Sequence, residues 1–271
     1  MILFPFAKIN IGLEVLRKRS DGFHDLETIF YPLNLCDILE INKSDNFNFS
    51  LSGIEIGDST QENIVVKAYR LLQSEFNLPP VHIHLHKIIP TGAGLGGGSS
   101  DAAFALTGLN KLFLLNLSEV QLINYASRLG SDCAFFIINQ PVFAEGKGNI
   151  FSEITIDLKK YTLVLIKPTI SVSTSMAYRS IEPKIPEYSL KESIKLPIDC
   201  WKEKVENQFE KGIFENSPLI KSIKESLYSE GAIFSSMSGS GSSVFGLFEL
   251  VPPHLKNLFP DCFYWEEHCR F

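Results

Sequence analysis

"IPTGAGLGGGSSDAAFAL", residues Ile89 to Leu106, decides how this chain is read. Seven of the ten residues from Gly92 to Asp101 are Gly or Ser. A helical repeat follows at once, with Ala102, Ala105, Leu109 and Leu112 at helical spacing. Immediately before the run, "VHIHLHKIIP" alternates Val81, Ile83 and Leu85 with His82, His84 and His86, as a half-buried strand does. The glycines therefore join a strand to a helix N-terminus. Such a terminus carries unpaired N–H groups and about half a unit of positive dipole charge. Glycines in front of it let phosphate oxygens reach the backbone with no Cβ in the way. Ser99 and Ser100 add hydroxyls that donate to an anion or hold magnesium, and Asp101 is placed as a cap. A plain strand–helix turn needs one or two glycines. Five in seven positions (Gly92, Gly94, Gly96, Gly97 and Gly98) point to an anion cradle.

The cradle is not a Walker A loop, because "GLGGGSS" lacks the lysine of G-x-x-x-x-G-K-S/T. Gly92, Gly94 and Gly97 satisfy G-x-G-x-x-G, which keeps an NAD-dependent dehydrogenase as a rival. That fingerprint, however, belongs after the first strand of a βαβ unit, not about ninety residues into a chain.

Outward from the run, "AKINIGLEVL" alternates Ile9, Ile11, Leu13 and Val15, predicting a strand with one apolar face. "STQENIVVKAYRLLQSEF" predicts a helix with a capping box of Ser59 and Glu62 and a stripe of Val65, Ala68, Leu72 and Phe76. "SEVQLINYASRLG" predicts another, capped by Ser118 with Gln121 and closed at Gly130, with Asp132 just beyond. "YTLVLIKP" is a strand stopped by Pro168, and residues 181–200 lose periodicity as a long connection. Ser217 and Pro218 open a further helix that stops at Gly231, and "IFSSMSGSGSSVFGLF" reads as strand, glycines, strand. Strands and helices mix without a strict βα repeat, so the fold class is α+β.

Composition narrows the function. With 271 residues, 45% hydrophobic and 21% charged, the chain is a globular protein with a substantial core. A net charge of −6 argues against nucleic acid and anionic membranes as partners. No run approaches the roughly 18 apolar residues of a membrane helix, and the interrupted N-terminal stretch reads as a strand, not a signal peptide. Cys36, Cys133, Cys200, Cys262 and Cys269 are scattered and odd in number, as expected of reduced thiols in a cytoplasmic protein. Three imidazoles on one strand face raise zinc as a reading. Their spacing of roughly 7 Å along a strand does not suit one tetrahedral ion, so an exposed face is expected and no metal site is assigned.

"PTGAGLGGGSSDAA" resembles the P-x-x-x-G-L-G-S/G-S-S motif of the small-molecule kinases named for galactose, homoserine, mevalonate and phosphomevalonate, the GHMP kinases. "AKINIGLEV" is similar to their first motif and "SSMSGSGSSVFGLF" to their third, in the same order, so the three bracket most of the chain. "RKRSDGFHDLETIF", "RLGSDCAFF" and "AEGKG" are similar to the branch whose substrate is a cytidine-diphosphate-linked methylerythritol. The resemblance implies an N-terminal ATP-binding α+β domain over residues 1–155 and a ferredoxin-like C-terminal domain over 156–271. It implies transfer of the γ-phosphate of ATP, with Mg2+, to the substrate's 2-hydroxyl, in the non-mevalonate route to isoprenoids. Mevalonate, diphosphomevalonate and homoserine kinases are the alternatives within the family, and a non-catalytic nucleotide-binding module lies outside it. The chain would act as a monomer or homodimer.

Residue by residue, the resemblance assigns catalysis to Lys8 and to Asp132, the latter as the base for the hydroxyl. Without it, Lys8 reads as a strand residue whose ammonium reaches water and Asp132 as a loop acid. ATP is assigned to Pro90, Thr91, Gly92, Ala93, Gly94, Leu95, Gly96, Gly97, Gly98, Ser99 and Ser100, with Asn63 and Lys87 lining the adenine pocket. As a structural alternative, Asn63 serves in the first turn of its helix. The substrate falls to Asn10, Phe23, His24, Tyr178, Gly239 and Gly241, with Phe23 and Tyr178 on the two sides of the cytosine. Phe23 stands where the family more often has tyrosine.

Overall fold

The computed structural model describes residues 1–56, 62–179 and 181–271. Its strands are β1 (Ile2–Leu3), β2 (Phe6–Lys18), β3 (His24–Cys36), β4 (Ile38–Lys43), β5 (Asn48–Gly53), β6 (Val81–Lys87), β7 (Val142–Glu145), β8 (Ile150–Glu153), β9 (Thr162–Lys167), β10 (Phe234–Met237), β11 (Val244–Phe248) and β12 (Phe263–His268). Helices α1 (Ile64–Phe76), α2 (Gly97–Leu112) and α3 (Glu119–Leu129) are the first three. The α+β class holds.

Two compact units form, and neither follows a single cut at residue 155. One comprises Met1–Lys8, Asn34–Thr91 and Gly96–Gln140; the other comprises Ile9–Leu33, Gly92–Leu95 and Pro141–Phe271. The difference has a simple cause: β2 and β3 are 13 residues each, long enough for one strand to belong to both units.

The first unit is built on the sheet β1-β4-β6-β5. β5 and β6 are parallel, which requires the crossover through α1. On β6 the alternation is as expected: Val81, Ile83 and Leu85 are buried, and His82, His84 and His86 face the other way. That second face is not bare. Ser50 and Ser52 of β5 engage the rings, with Ser50 Oγ 2.8 Å from His84 Nδ1 and Ser52 Oγ 2.8 Å from His86 Nδ1. Among the described residues no three His, Cys, Asp or Glu side chains form a metal-binding group, and no helix is long and apolar enough to cross a membrane. α1 buries Val65, Ala68 and Leu72 as its stripe predicts, whereas Phe76 is 37% exposed. Its capping box falls on Ser59, outside the described residues; the N-cap is Asn63, whose side chain accepts from Val65 N at 2.9 Å. α3 does carry the Ser118–Gln121 capping box, and Gly130 ends it in extended backbone.

The second unit holds the sheets β2-β3-β7-β8 and β10-β11-β9-β12. In the latter every pair is antiparallel, and β11 is inserted between β9 and β10. This is the split βαβ of a ferredoxin-like domain. The helices Phe209–Asn216 and Pro218–Ser229 lie between β9 and β10, while the second crossover shrinks to one turn, Leu255–Leu258. Ile213, Ile220, Ile223 and Leu227 pack on Val164, Ile166, Val244 and Phe248 to form its core, together with Leu13 and Val15 of β2. Residues 181–200 are less irregular than their sequence suggests, with short helical turns at Leu190–Ser193 and Ile198–Cys200.

β2 departs from its one-faced prediction. Ile9, Ile11, Leu13 and Val15 are buried, but so are Lys8, Asn10 and Glu14 between them. Buried polar groups on a strand need partners or a purpose.

Candidate active site

α2 starts at Gly97, four residues before the expected start at Asp101, and its N-cap is Gly96 at φ 69° with no side chain capping that end. Asp101 is therefore not the cap; it lies inside the helix and is buried. A Cβ on Gly96 would meet the Phe136 ring at 2.8 Å and Lys8 Cε at 3.2 Å, so only glycine fits between them. Gly98 is different: it is exposed, and its nearest neighbour to a Cβ would be Ile64 Cγ2 at 3.9 Å. A glycine within a helix costs about 0.5–1 kcal/mol relative to alanine. Nothing inside the protein requires it here, whereas a phosphate resting on these first-turn amides would. Of the flanking residues, Thr91 and Gly92 are exposed, while Pro90, Ala93 and Leu95 are buried and offer only backbone. Ser99 is half-buried; Ser100 is fully buried with Oγ unpartnered, which removes it as a direct metal donor.

Lys8 and Asp132, far apart in sequence, come together. Lys8 Nζ is 3.5 Å from Asp132 Oδ2, and the lysine side chain is 4% exposed against 36% for the aspartate. Burial pulls the Lys8 ammonium below the ordinary lysine range, and the charge and hydrogen bond of Asp132 oppose that fall. A desolvated ammonium acts strongly on neighbouring charge, and a half-open carboxylate can receive a proton from an incoming group. The expectation that the lysine reaches water is not met.

In the second unit the first, second and third sequence motifs are tied together by one serine. Ser238 Oγ accepts from Asn10 N at 3.1 Å and donates to Gly94 O at 2.9 Å. Ser243 N donates to Ala93 O at 3.2 Å. Gly94 sits at φ 75°, and a Cβ on it would lie 1.9 Å from Ser238 O. A Cβ on Gly239 would meet Asn10 Oδ1 at 3.1 Å, and one on Gly241 would meet Met237 Sδ at 2.7 Å. These glycines serve loop-on-loop contact at least as much as access for a ligand. The Asn10 amide donates to Thr28 Oγ1 at 2.9 Å. Asn207 Nδ2 donates to Met237 O and Gly239 O, both at 2.8 Å, fixing the third motif from below. Asn207 was missed because a single asparagine bonding to backbone leaves no periodic signature.

Of the residues expected around the cytosine, two rings touch each other. His24 and Tyr178 stack on each other, with centroids 4.8 Å apart at 18°. Phe209 meets the Tyr178 ring edge-on at 4.9 Å. Phe23 is 53% exposed, with Lys147 Nζ 4.6 Å from its ring centroid. Burial, helped by Lys18, lowers the His24 imidazole, which favours a neutral ring with one donor and one acceptor nitrogen.

Lys87, expected to line the adenine pocket, has its ammonium engaged inside the protein. It is buried and donates to Asp37 and, at 2.7 Å, to Asp101 Oδ2. Burial alone would lower its ammonium, but the two carboxylates outweigh it and the net shift is upward. Asn63 is 3% exposed, and its Oδ1 serves as the α1 cap.

Glu14, opposite the apolar face of β2, is 1% exposed and its Oε2 has no hydrogen-bond partner. Burial first, then the charges of Glu27 and Glu206, push its carboxyl up to about 8, with Lys184 opposing. Such a group binds more protons folded than unfolded. Its stabilising share is complete below the ordinary carboxylate value and is lost as pH rises to about 8. Melting temperature is therefore expected to fall between about pH 5 and 8, and Glu14→Gln to flatten that fall. A slope unchanged by Glu14→Gln would clear Glu14 of it. A cleft of about 730 Å³ in this unit is lined by Arg17, Asp25, Glu27, Glu145 and Ile150 among others, and by none of the predicted site residues. Its arginines are spent on Asp25, with Arg17 Nε at 2.5 Å and Arg19 Nη1 at 2.6 Å.

Comparison with known proteins follows the same lines. A family model described as "GHMP kinases N terminal domain" matches residues 63–146, and one described as "GHMP kinases C terminal" matches residues 190–254. The chain is 57% identical over 253 residues to the 4-diphosphocytidyl-2-C-methyl-D-erythritol kinase of Bacteroides thetaiotaomicron, covering 92% of each. Against the enzyme of that name from Porphyromonas gingivalis it is 41% identical, covering 98% of each. A solved 4-(cytidine 5'-diphospho)-2C-methyl-D-erythritol kinase superposes with a TM-score of 0.79 at 30% identity over 98% of each chain. The mevalonate kinase of Methanococcus jannaschii shares the fold, with a TM-score of 0.71 at 12% identity over 100% of this chain and 98% of the other. With both family domains matched in order and relatives this similar over nearly the whole length, the chain belongs to the GHMP kinases.

Proposed function

We propose that this chain transfers the γ-phosphate of ATP to the 2-hydroxyl of 4-diphosphocytidyl-2-C-methyl-D-erythritol. One observation carries the reading: the buried Lys8 ammonium stands 3.5 Å from Asp132 while its stem runs past Gly96, the uncapped start of α2. An anion-binding terminus, a cation and a carboxylate base are thus neighbours, which phosphoryl transfer to an alcohol requires. Identity of 57% to a kinase of that name supports the choice of alcohol.

The triphosphate rests on the first-turn amides of α2, where Gly98 leaves the approach open. As the alcohol oxygen bonds to the γ-phosphorus, the bond from that phosphorus to the β–γ bridging oxygen breaks and ADP leaves. Asp132 takes the hydroxyl proton, and Lys8 stabilises both the carboxylate and the charge on the transferring oxygens. Asn10, Phe23, His24 and Tyr178 contact the substrate's nucleotide end, His24 through the two ring nitrogens of a neutral imidazole. Gly239 and Gly241 bring backbone towards its diphosphate. Magnesium needs few protein ligands, all oxygen, and the half-buried Ser99 hydroxyl would be the one offered to it. The ion would supply positive charge against the phosphates of ATP. A family boundary near residue 155 falls between the two matched regions, 63–146 and 190–254.

The test is a side-by-side assay of the purified chain with MgATP on cytidine-diphosphate methylerythritol, mevalonate and homoserine, reading product by phosphorus NMR. Turnover confined to the cytidine-linked alcohol is the expected result. Turnover confined to mevalonate or homoserine would refute it.

A further inference from the structure

Beneath the glycine run lies a group of charges that the proposed chemistry does not use. Lys87 ends β6 at one side of the run, and Asp101 stands in α2 at the other. Asp37, between β3 and β4, is the third member, and all three are buried. The Lys87 ammonium donates to both carboxylates, reaching Asp101 Oδ2 at 2.7 Å. The other oxygen of Asp37 accepts from Ile88 N at 2.5 Å and Ile89 N at 2.9 Å, the last two amides before Pro90. A Cβ on Gly97 would lie 3.3 Å from Lys87 Nζ, so the ammonium sits directly under the first residue of α2.

Both ends of the run are therefore fastened to one cation: the entering strand through Asp37, the departing helix through Asp101. We infer that Asp37, Lys87 and Asp101 form a clip that closes the neck of the glycine run and sets the α2 amides for a nucleotide's phosphates. Stability does not explain such a group, because buried ion clusters are often replaced by apolar side chains without loss. Geometry does. Each charge-assisted bond here spans two segments that must keep a fixed separation, and all three members are buried. Lys87, Asp37 and Asp101 are positioning residues, acting through the amides and not on the phosphate itself.

The inference rests on the proposed nucleotide site, and its test separates the two. Asp101→Ala cuts only the helix-side tether and leaves Lys87 and Asp37 as a balanced pair, so the chain can still fold; a melting curve checks that it does. Asp101→Asn keeps an oxygen that accepts from Lys87. Calorimetric titration with ADP is expected to show affinity about tenfold weaker for Asp101→Ala, as for one misplaced charge-assisted contact, with Asp101→Asn within about threefold of the parent. The KM of the alcohol at saturating ATP stays within about twofold in both, since no tether reaches it. Parental ADP affinity in Asp101→Ala would overturn the clip, as would an equal loss in Asp101→Asn or an equal rise in the alcohol's KM. A parent protein that binds no ADP would overturn the nucleotide site itself, whatever the variants do.

Discussion

Asp132→Asn is expected to lower kcat by about 10²–10⁴-fold, the usual worth of a positioned general base. The KM for ATP should stay within about twofold, because the substitution removes proton affinity and leaves the phosphate amides alone. Asparagine keeps the shape of aspartate and an oxygen that accepts from Lys8, whose ammonium stands 3.5 Å away, so the lysine is not released. The ion pair with Lys8 and the proposed role as proton acceptor are thereby separated. Phosphoryl transfer has a loose transition state in which proton removal comes late, which favours the lower part of the range. Lys8→Met is the complementary case. Asp132 is open enough to be rehydrated, so the fold survives, while charge on the transferring group loses its buried counter-ion. Steady-state kinetics with both substrates varied distinguish these outcomes. If Asp132→Asn turns over normally, the base lies elsewhere or the reaction needs none.

How much of this was legible in the sequence depends on how local each device is. Ser118 with Gln121 acts within one turn of helix, and Ser217 with Pro218 occupies the first positions of another, so their spacing gave them away. The glycine run announced itself by composition, since five glycines around the start of a helix exceed what a purely structural turn needs. Lys8 and Asp132 have no local trace; only the family resemblance paired them, and the fold places them in contact. Asp37, Asn207 and Glu14 stayed hidden for a different reason. Each is a single polar residue whose meaning lies in backbone or charges from distant segments, and periodicity does not record such bonds. The ion pairs of Lys87 with Asp37 and Asp101 were hidden for the same reason. That β2 and β3 each serve two compact units is something no linear reading displays.

Two glycines of one run should respond to the same substitution in opposite ways. Gly94→Ala is expected to cost about 2–5 kcal/mol, combining the strain of a left-handed non-glycine residue with overpacking. Its φ of 75° already disfavours a side chain, and the new Cβ would stand 1.9 Å from Ser238 O and 2.9 Å from the carbonyl carbon. Neither neighbour is the free end of a flexible side chain. The loop must move, and Ser238 then loses Gly94 O and strains its hold on Asn10 N. At about 2–4 °C per kcal/mol for a chain of this size, the melting temperature falls by about 4–20 °C. Gly98→Ala has helical backbone and open space around it, so replacing an entropically costly glycine should raise stability by about 0.5–1 kcal/mol. Its methyl group would project over the amides proposed to hold phosphate, and the KM for ATP is expected to rise about tenfold, the equivalent of one lost charge-assisted contact. Melting curves and ATP titrations on the two variants give the answer together. A Gly98→Ala protein that is more stable and binds ATP as well as the parent would mean that phosphate does not lie on the first turn of α2. A Gly94→Ala protein as stable as the parent would mean that the second and third motifs are not clasped through Ser238.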